Sequence, residues 1–166
     1  FSFRGASGID GTLSLAKGLS VSLGPIALIT GDLALLHDTN GWLFSTPPNF
    51  PLIVVLIDNG GGGIFTQINK GKIVRGEFDQ LFTMPQHVDF IQLASAYNIP
   101  SREVSDFKDL KPSLEWAISY STTVLLRVCT NSVEDSFLRK EILENINELI
   151  NSFFKDYPIY LIWKYV

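Results

Sequence analysis

The sequence has little of what several classes of protein depend on. It contains one cysteine, Cys129, among 166 residues, which excludes a disulfide framework and a zinc site built from cysteines. Charged residues make up 18% and hydrophobic residues 46%, the opposite of the balance found in disordered chains. Thirteen basic against 17 acidic residues leave a net charge of −4, so we expect no basic surface that attracts nucleic acid.

Long apolar runs and leader sequences are also missing. The longest apolar runs, at 26–29 and 51–57, are far shorter than the ~20 residues that cross a bilayer. The chain opens Phe1-Ser2-Phe3-Arg4, with no Met and no charged region leading into an apolar one. A secretory signal would show both regions. We therefore predict a domain with neither membrane nor nucleic-acid partners, and expect it to be the C-terminal part of a longer polypeptide.

Apolar runs and helical spacing alternate along the chain. Runs that are apolar at nearly every position predict buried strands; they cover 26–30, 52–57 and 123–128. Helical spacing of apolar residues covers 13–23, 33–44, 88–97, 110–119 and 134–154. This alternation predicts an α/β fold, a doubly wound parallel sheet flanked by helices. We assign residues 1–154 to this domain and 155–166 to a C-terminal tail, which is either an interface or an extra strand.

Polar residues follow the first two predicted strands. Gly31-Asp32 follows the first, and Asp58-Asn59 followed by the glycines 60–63 follows the second. A carboxylate, an amide oxygen and backbone carbonyls suit Mg²⁺, with Mn²⁺ as an alternative. The glycine run would let a diphosphate approach the backbone N–H groups. The alternative is plainer, a helix N-cap at Asp32 and an ordinary turn. The common mononucleotide and dinucleotide motifs are absent.

Three segments of the sequence carry a family resemblance. They are RGASGIDGTLS (4–14), GDLALLHDTNG (31–41) and GGGIF (61–65). Together with Gly31-Asp32 and Asn59 they resemble the 2-succinyl-5-enolpyruvyl-6-hydroxy-3-cyclohexene-1-carboxylate synthases, thiamine-diphosphate-dependent enzymes of menaquinone and phylloquinone biosynthesis. The resemblance covers roughly residues 4–150. It implies the C-terminal domain that binds the diphosphate of the cofactor.

The resemblance also implies roles for individual residues. Asp32, Asn59 and the carbonyl of Gly61 would bind the metal, Ile9 would support the cofactor from below, and Arg4 would bind a substrate carboxylate. The implied cofactor-binding residues are Ser7, Gly8, Ile9, Gly31, Asp32, Leu33, Asn59, Gly61, Gly62 and Phe65. For Arg4 the alternative is a surface or capping role. Asp58 stands where relatives usually have Asn, and it either adds charge beside the metal or points away.

The implied reaction joins a unit from decarboxylated 2-oxoglutarate to isochorismate. The glutamate that activates the cofactor would lie on a pyrimidine-binding domain of another subunit, in a homo-oligomer (dimer or tetramer), so the chain holds no catalytic residue of its own and should be inactive alone. One alternative is an acetolactate-synthase-like enzyme, and another is a non-catalytic remnant that kept the cofactor fold. Bacterial cytoplasm and plastid stroma both suit a quinone-pathway enzyme.

Overall fold

Four parallel strands form one sheet in a computed structural model of the protein, which describes residues 8–43, 50–67 and 75–154. The strands are β1 (Ile26–Gly31), β2 (Leu52–Asp58), β3 (Ser101–Val104) and β4 (Val124–Cys129). Their order across the sheet is β1-β2-β4-β3. The register pairs Gly31 with Ile57 and Asp58 with Cys129. The carboxyl ends of β1, β2 and β4 therefore meet at one edge of the sheet.

Helices cover both faces of this sheet. Those that contact its strands are α1 (Thr12–Leu23), α2 (Asp32–His37), α4 (Phe90–Ala96) and α5 (Leu110–Ile118). The chain also contains α3 (Arg75–Phe78) and α6 (Ser132–Phe154). Right-handed crossovers place α2 and α4 on one face of the sheet. The connection from β3 to β4 runs in the opposite direction across the sheet, so its helix, α5, lies on the other face. The core agrees with this, since Leu35 and Phe90 belong to one buried cluster and Ala117 to a second. The prediction of a doubly wound α/β fold is confirmed.

The contacts divide the chain into two units, residues 1–131 and 132–166. The first unit contains the sheet. The second contains α6, a 23-residue helix in which Lys140 and Glu144 form an i,i+4 ion pair. No helix within the described ranges is both long and apolar enough to span a bilayer. The tail 155–166 lies outside the described residues, and the division of the chain at residue 154 stays a prediction.

Several elements differ from the sequence prediction, which contained neither the helix Arg75–Phe78 nor the helical turn Asp79–Thr83. β3 was not predicted, because its sequence SREV contains no apolar run and only Val104 is buried. The helix predicted over 33–44 ends at His37, and a 3₁₀ helix follows over Thr39–Leu43. The break falls at Asp38, whose carboxylate accepts hydrogen bonds from the backbone N–H and the hydroxyl of Ser14 (2.7 and 2.9 Å). A tertiary contact with α1 thus interrupts a helix that local spacing alone would continue.

Candidate functional site

Asp32 lies where β1 ends and α2 begins, with 4% of its surface exposed. Its Oδ1 accepts a hydrogen bond from the N–H of Leu33 (2.7 Å), and its Oδ2 accepts one from the N–H of Gly61 (2.6 Å). The second bond joins residues 29 positions apart in sequence. The structure therefore brings together the two predicted site segments, the turn after β1 and the turn after β2.

Burial raises the pKa of Asp32 above its ordinary value. The hydrogen bonds from Leu33 and Gly61 act in the opposite direction, and the neighbouring carboxylate of Asp58 raises the pKa further. Two carboxylates that face each other in a buried place repel one another when both are charged. A bound cation would remove this repulsion, so the electrostatics of this edge of the sheet favour a cation.

Asn59 directly follows β2, and its side-chain Oδ1 is the buried polar atom at this edge of the sheet that fits a bound cation. This oxygen is buried and has no hydrogen-bond partner among the described residues; the other two buried atoms of this kind in the described residues are Thr12 Oγ1 and Trp42 Nε1. A buried polar atom without a partner is unfavourable by about 1–3 kcal/mol, so such atoms are uncommon unless something binds them. Amide oxygens are suitable ligands for Mg²⁺. The residues present therefore fit a hard divalent cation.

The remaining oxygens near Asn59 are consistent with this fit. The Gly61 carbonyl accepts one hydrogen bond, from the N–H of Gly63 (2.8 Å), which uses one of its two lone pairs. Within the described part of the chain, no group of three or more His, Cys, Asp and Glu side chains could hold a metal. A cation at this edge would therefore depend on amide and carbonyl oxygens beside the Asp32 carboxylate.

The glycine turn has a second, structural reason for its composition. Gly60 and Gly61 have positive φ angles of 81° and 139°, which side chains rarely adopt. A Cβ atom on Gly61 would collide with the backbone carbonyl of Thr83, and one on Gly62 with that of Phe82. The glycines thus let the chain that returns at 82–84 pack directly against the turn.

This packing bears on one sequence expectation, that a diphosphate could approach the N–H groups of the four glycines, which stays a prediction. Each of these N–H groups donates to an acceptor within the chain. Gly60 donates to Asp58 Oδ1 (3.1 Å), Gly61 to Asp32, Gly62 to the Thr83 carbonyl (2.6 Å) and Gly63 to the Gly61 carbonyl. The turn therefore holds the acidic side chains and the returning chain in place instead of presenting free donors to an anion.

Arg127 on β4 is a site residue that the sequence analysis missed. Its Nε and Nη2 both donate to Asp58 Oδ2 at 2.7 Å, and its Nη1 donates to Glu103 on β3 at 2.7 Å. Asp58 is 8% exposed, so this is a largely buried ion pair. Asp58 points toward β4, and this was one of the two alternatives considered for it. The sequence contained one signal for this ion pair. A single cation lies inside the apolar run TVLLRV, and an acid follows the apolar run of β2.

Of the other predicted residues, some lie within the described ranges and two lie outside them. Gly8 and Ile9 precede α1 and are exposed, Gly31 is exposed at the end of β1, and Leu33 is half-buried. Phe65 is 38% exposed and its ring packs edge-on against Phe82, with centroids 5.9 Å apart. Arg4 and Ser7 are outside the described residues. The cofactor and substrate roles of these residues stay predictions.

Comparisons with known proteins bear on the identity of this site. The family model described as "Thiamine pyrophosphate enzyme, C-terminal TPP binding domain" matches residues 4–128. Similar curated proteins are named 2-succinyl-5-enolpyruvyl-6-hydroxy-3-cyclohexene-1-carboxylate synthase. That of Prochlorococcus marinus strain NATL1A is 54% identical over 91% of this chain, and that of strain MIT 9313 is 56% identical over 88%; each alignment covers 25% of the relative.

A third relative of that name, from Synechococcus sp. strain CC9311, is 52% identical over 89% of this chain and 26% of its own length. The chain thus spans about a quarter of the length of the curated relatives it matches. The family model matches more than half of the chain and contains both strand ends that carry Asp32 and Asn59. The chain belongs to the family of C-terminal thiamine pyrophosphate-binding domains of thiamine pyrophosphate enzymes.

Proposed function

We propose that this chain binds Mg²⁺ and the diphosphate of thiamine diphosphate, with Asp32, Asn59 and the Gly61 carbonyl as ligands of the cation. The observation that carries this proposal is the buried Oδ1 of Asn59, which lacks a hydrogen-bond partner in the described residues. The Asp32 carboxylate, bonded to the N–H of Gly61, supplies negative charge beside it. Mn²⁺ prefers similar oxygen ligands and is the expected substitute.

The hydrogen bonds of the glycine turn affect how the diphosphate would be held. Because the four glycine N–H groups have acceptors within the chain, they are not free to neutralise an anion. Asp32 adds negative charge at the same place, which would repel a diphosphate. The attraction must then come from the cation, so we expect diphosphate binding to depend almost entirely on Mg²⁺.

We propose that the enzyme that contains this domain is a decarboxylating synthase. This enzyme would join a unit from 2-oxoglutarate to isochorismate. The names of the curated relatives support this synthase. When bound, thiamine diphosphate supplies the carbanion chemistry needed for decarboxylation and carbon–carbon bond formation. The chain's own residues hold and orient it: Asp32 and Asn59 through the cation, with Ile9 and Phe65 as apolar contacts.

A complete active site needs residues that we place on a pyrimidine-binding domain, supplied by a partner subunit in a homo-oligomer. Arg4 is proposed to bind a substrate carboxylate, since a guanidinium can bind a carboxylate through two hydrogen bonds. We expect decarboxylation of 2-oxoglutarate, in the presence of isochorismate, only when that domain is added. Turnover by this chain alone would refute this division of the site.

Titration calorimetry of the 166-residue chain tests the binding proposal. Asn59→Ala and Asp32→Ala should each weaken binding of thiamine diphosphate in the presence of Mg²⁺ by at least about tenfold, since a lost bond to a charged group is worth about 1.5–3 kcal/mol. Chelating Mg²⁺ with EDTA should abolish binding by the unaltered chain. The control is Asp109→Ala, an exposed acid at the start of α5 whose side chain makes no capping bond. Equal affinity of Asn59→Ala and the unaltered chain would refute the ligand assignment.

A further inference from the structure

Asp58 and Asp32 are neighbours at the strand ends, but their carboxylate oxygens accept hydrogen bonds from different groups. A carboxylate has about four lone-pair positions. Asp58 uses three, two for Arg127 and one for the N–H of Gly60. Asp32 uses two, for Leu33 and Gly61. The structure thus contains two acids at the strand ends, of which Asp58 accepts one more hydrogen bond and is bound to a cationic side chain.

The source of this difference is the position of Arg127. Leu56 and Arg127 are partners in the register of β2 and β4, and Glu103 of β3 is the partner of Arg127 on the other side. From there the guanidinium reaches along β2 to Asp58 and across to Glu103, and its carbon lies 5.8 Å from the centre of the Phe90 ring. Contacts on three sides fix the guanidinium in place.

We propose that Arg127 is a positioning residue of the cation site, which binds Asp58 so that Asp58 is neither a metal ligand nor an uncompensated charge. This inference rests on the proposed function. Without Arg127, Asp58 would present a second buried carboxylate to the cation. That carboxylate would compete with Asn59 for the cation and repel the diphosphate. Arg127 thereby leaves the Asp32 and Asn59 oxygens as the ligand set.

The proposal predicts that removing Arg127 changes two affinities differently. In Arg127→Met, Mg²⁺ alone should bind at least as tightly as it binds the unaltered chain, because one more carboxylate is available. Thiamine diphosphate, measured at saturating Mg²⁺, should bind at least about tenfold more weakly, because that carboxylate repels it. A purely structural role of Arg127 would loosen the site and weaken both affinities together.

Double substitution separates charge from packing. Asp58→Asn combined with Arg127→Met removes both charges, while the amide oxygen introduced by the first substitution can still accept the N–H of Gly60. This variant should bind thiamine diphosphate within about threefold of the unaltered chain. The matched control is Arg102→Met on β3, whose guanidinium packs over the Trp116 ring at 4.6 Å, and it should leave both affinities unchanged.

Calorimetry with Mg²⁺ alone, and with thiamine diphosphate at saturating Mg²⁺, measures these affinities, and thermal unfolding shows which variants are folded. Parallel weakening of both affinities in Arg127→Met would overturn the proposal. If that variant does not fold, the double variant decides: affinity within about threefold supports the proposal, and a loss beyond about tenfold overturns it. If the unaltered chain binds no Mg²⁺ or thiamine diphosphate, the proposed function itself fails.

Discussion

Gly61→Ala should be severely destabilising, and the structure shows why. The new methyl group would collide with the Thr83 carbonyl, at a residue whose φ angle of 139° a side chain rarely adopts. The obstacle is backbone on the returning chain, so a change of rotamer cannot relieve the collision. Either the turn or the returning chain must move, and either movement breaks hydrogen bonds that join them.

The magnitude follows from the bonds at risk. The bond from Gly61 N–H to the buried Asp32 carboxylate is worth about 1.5–3 kcal/mol, as a bond to a charged group. The bond from Gly62 N–H to the Thr83 carbonyl adds about 0.5–1.5 kcal/mol. Forcing alanine to a strained φ angle costs about 1–3 kcal/mol. Together these predict a loss of about 3–7.5 kcal/mol, against a total stability of about 5–15 kcal/mol for a typical domain.

Urea unfolding monitored by circular dichroism measures this loss, and the chain provides a control of opposite sign. Gly18 lies exposed within α1 with open space where a Cβ would stand. Gly18→Ala should therefore stabilise the chain by about 0.5–1 kcal/mol, since glycine is unfavourable inside helices. The reasoning is wrong if Gly61→Ala unfolds within about 1 kcal/mol of the unaltered chain.

Three further predictions concern stability. Burial lowers the pKa of Lys17 below its ordinary 10.5. The free energy of unfolding of the unaltered chain, relative to Lys17→Met, should therefore increase as the pH rises toward 10.5. Urea unfolding at about pH 7 and about pH 10 checks this, and an unchanged difference between the two proteins contradicts it. Hydrogen bonds from the N–H groups of Gln92 and Ile91 lower the pKa of Asp89 below 3.8. The stability advantage over Asp89→Asn should therefore be present above pH 3.8 and disappear in acid, as melting temperatures across that range will show. Leu35→Ala, at a fully buried position of the larger core cluster, should lose about 2–5 kcal/mol in urea unfolding, and a loss below about 1 kcal/mol would mean that this core is loosely packed.

The sequence predicted the parts of the fold that depend on local pattern. The strands β1, β2 and β4 were predicted because they are apolar at nearly every position, as parallel strands covered on both sides are. The burial of β1 on both faces was predicted wrongly, since alternate residues are exposed and Ile29 is 73% exposed. β3 was missed because it is a short outer strand of the described sheet, held by pairing with β4 and not by burial of its own side chains. The end of α2 was missed because the prediction followed apolar spacing past Asp38, where the contact with Ser14 and the turn-forming sequence DTNG (38–41) both disfavour a continuing helix.

The candidate site shows the same division. Asp32 and the glycine turn were predicted to meet because parallel strands end at the same edge, and the bond between Asp32 and Gly61 confirms this. The acceptors of the glycine N–H groups were not predicted because they include the Thr83 carbonyl, 21 residues beyond Gly62. Arg127 was missed because its partner Asp58 is 69 residues away. Pairings over such distances become visible only once the strands are placed.

The bond between Asp32 and Gly61, and the ion pair between Asp58 and Arg127, together span almost a hundred residues of chain. Unfolded chain therefore has no preformed cation site, and a ligand of this site binds the native state alone. By mass action, a ligand at about a hundred times its dissociation constant then adds about 2.7 kcal/mol to the free energy of unfolding. The same long-range pairings favour slow folding, because distant segments must meet before either bond can form. The proposed cation and cofactor would thus stabilise the folded domain in proportion to their supply, in addition to any part they take in its chemistry.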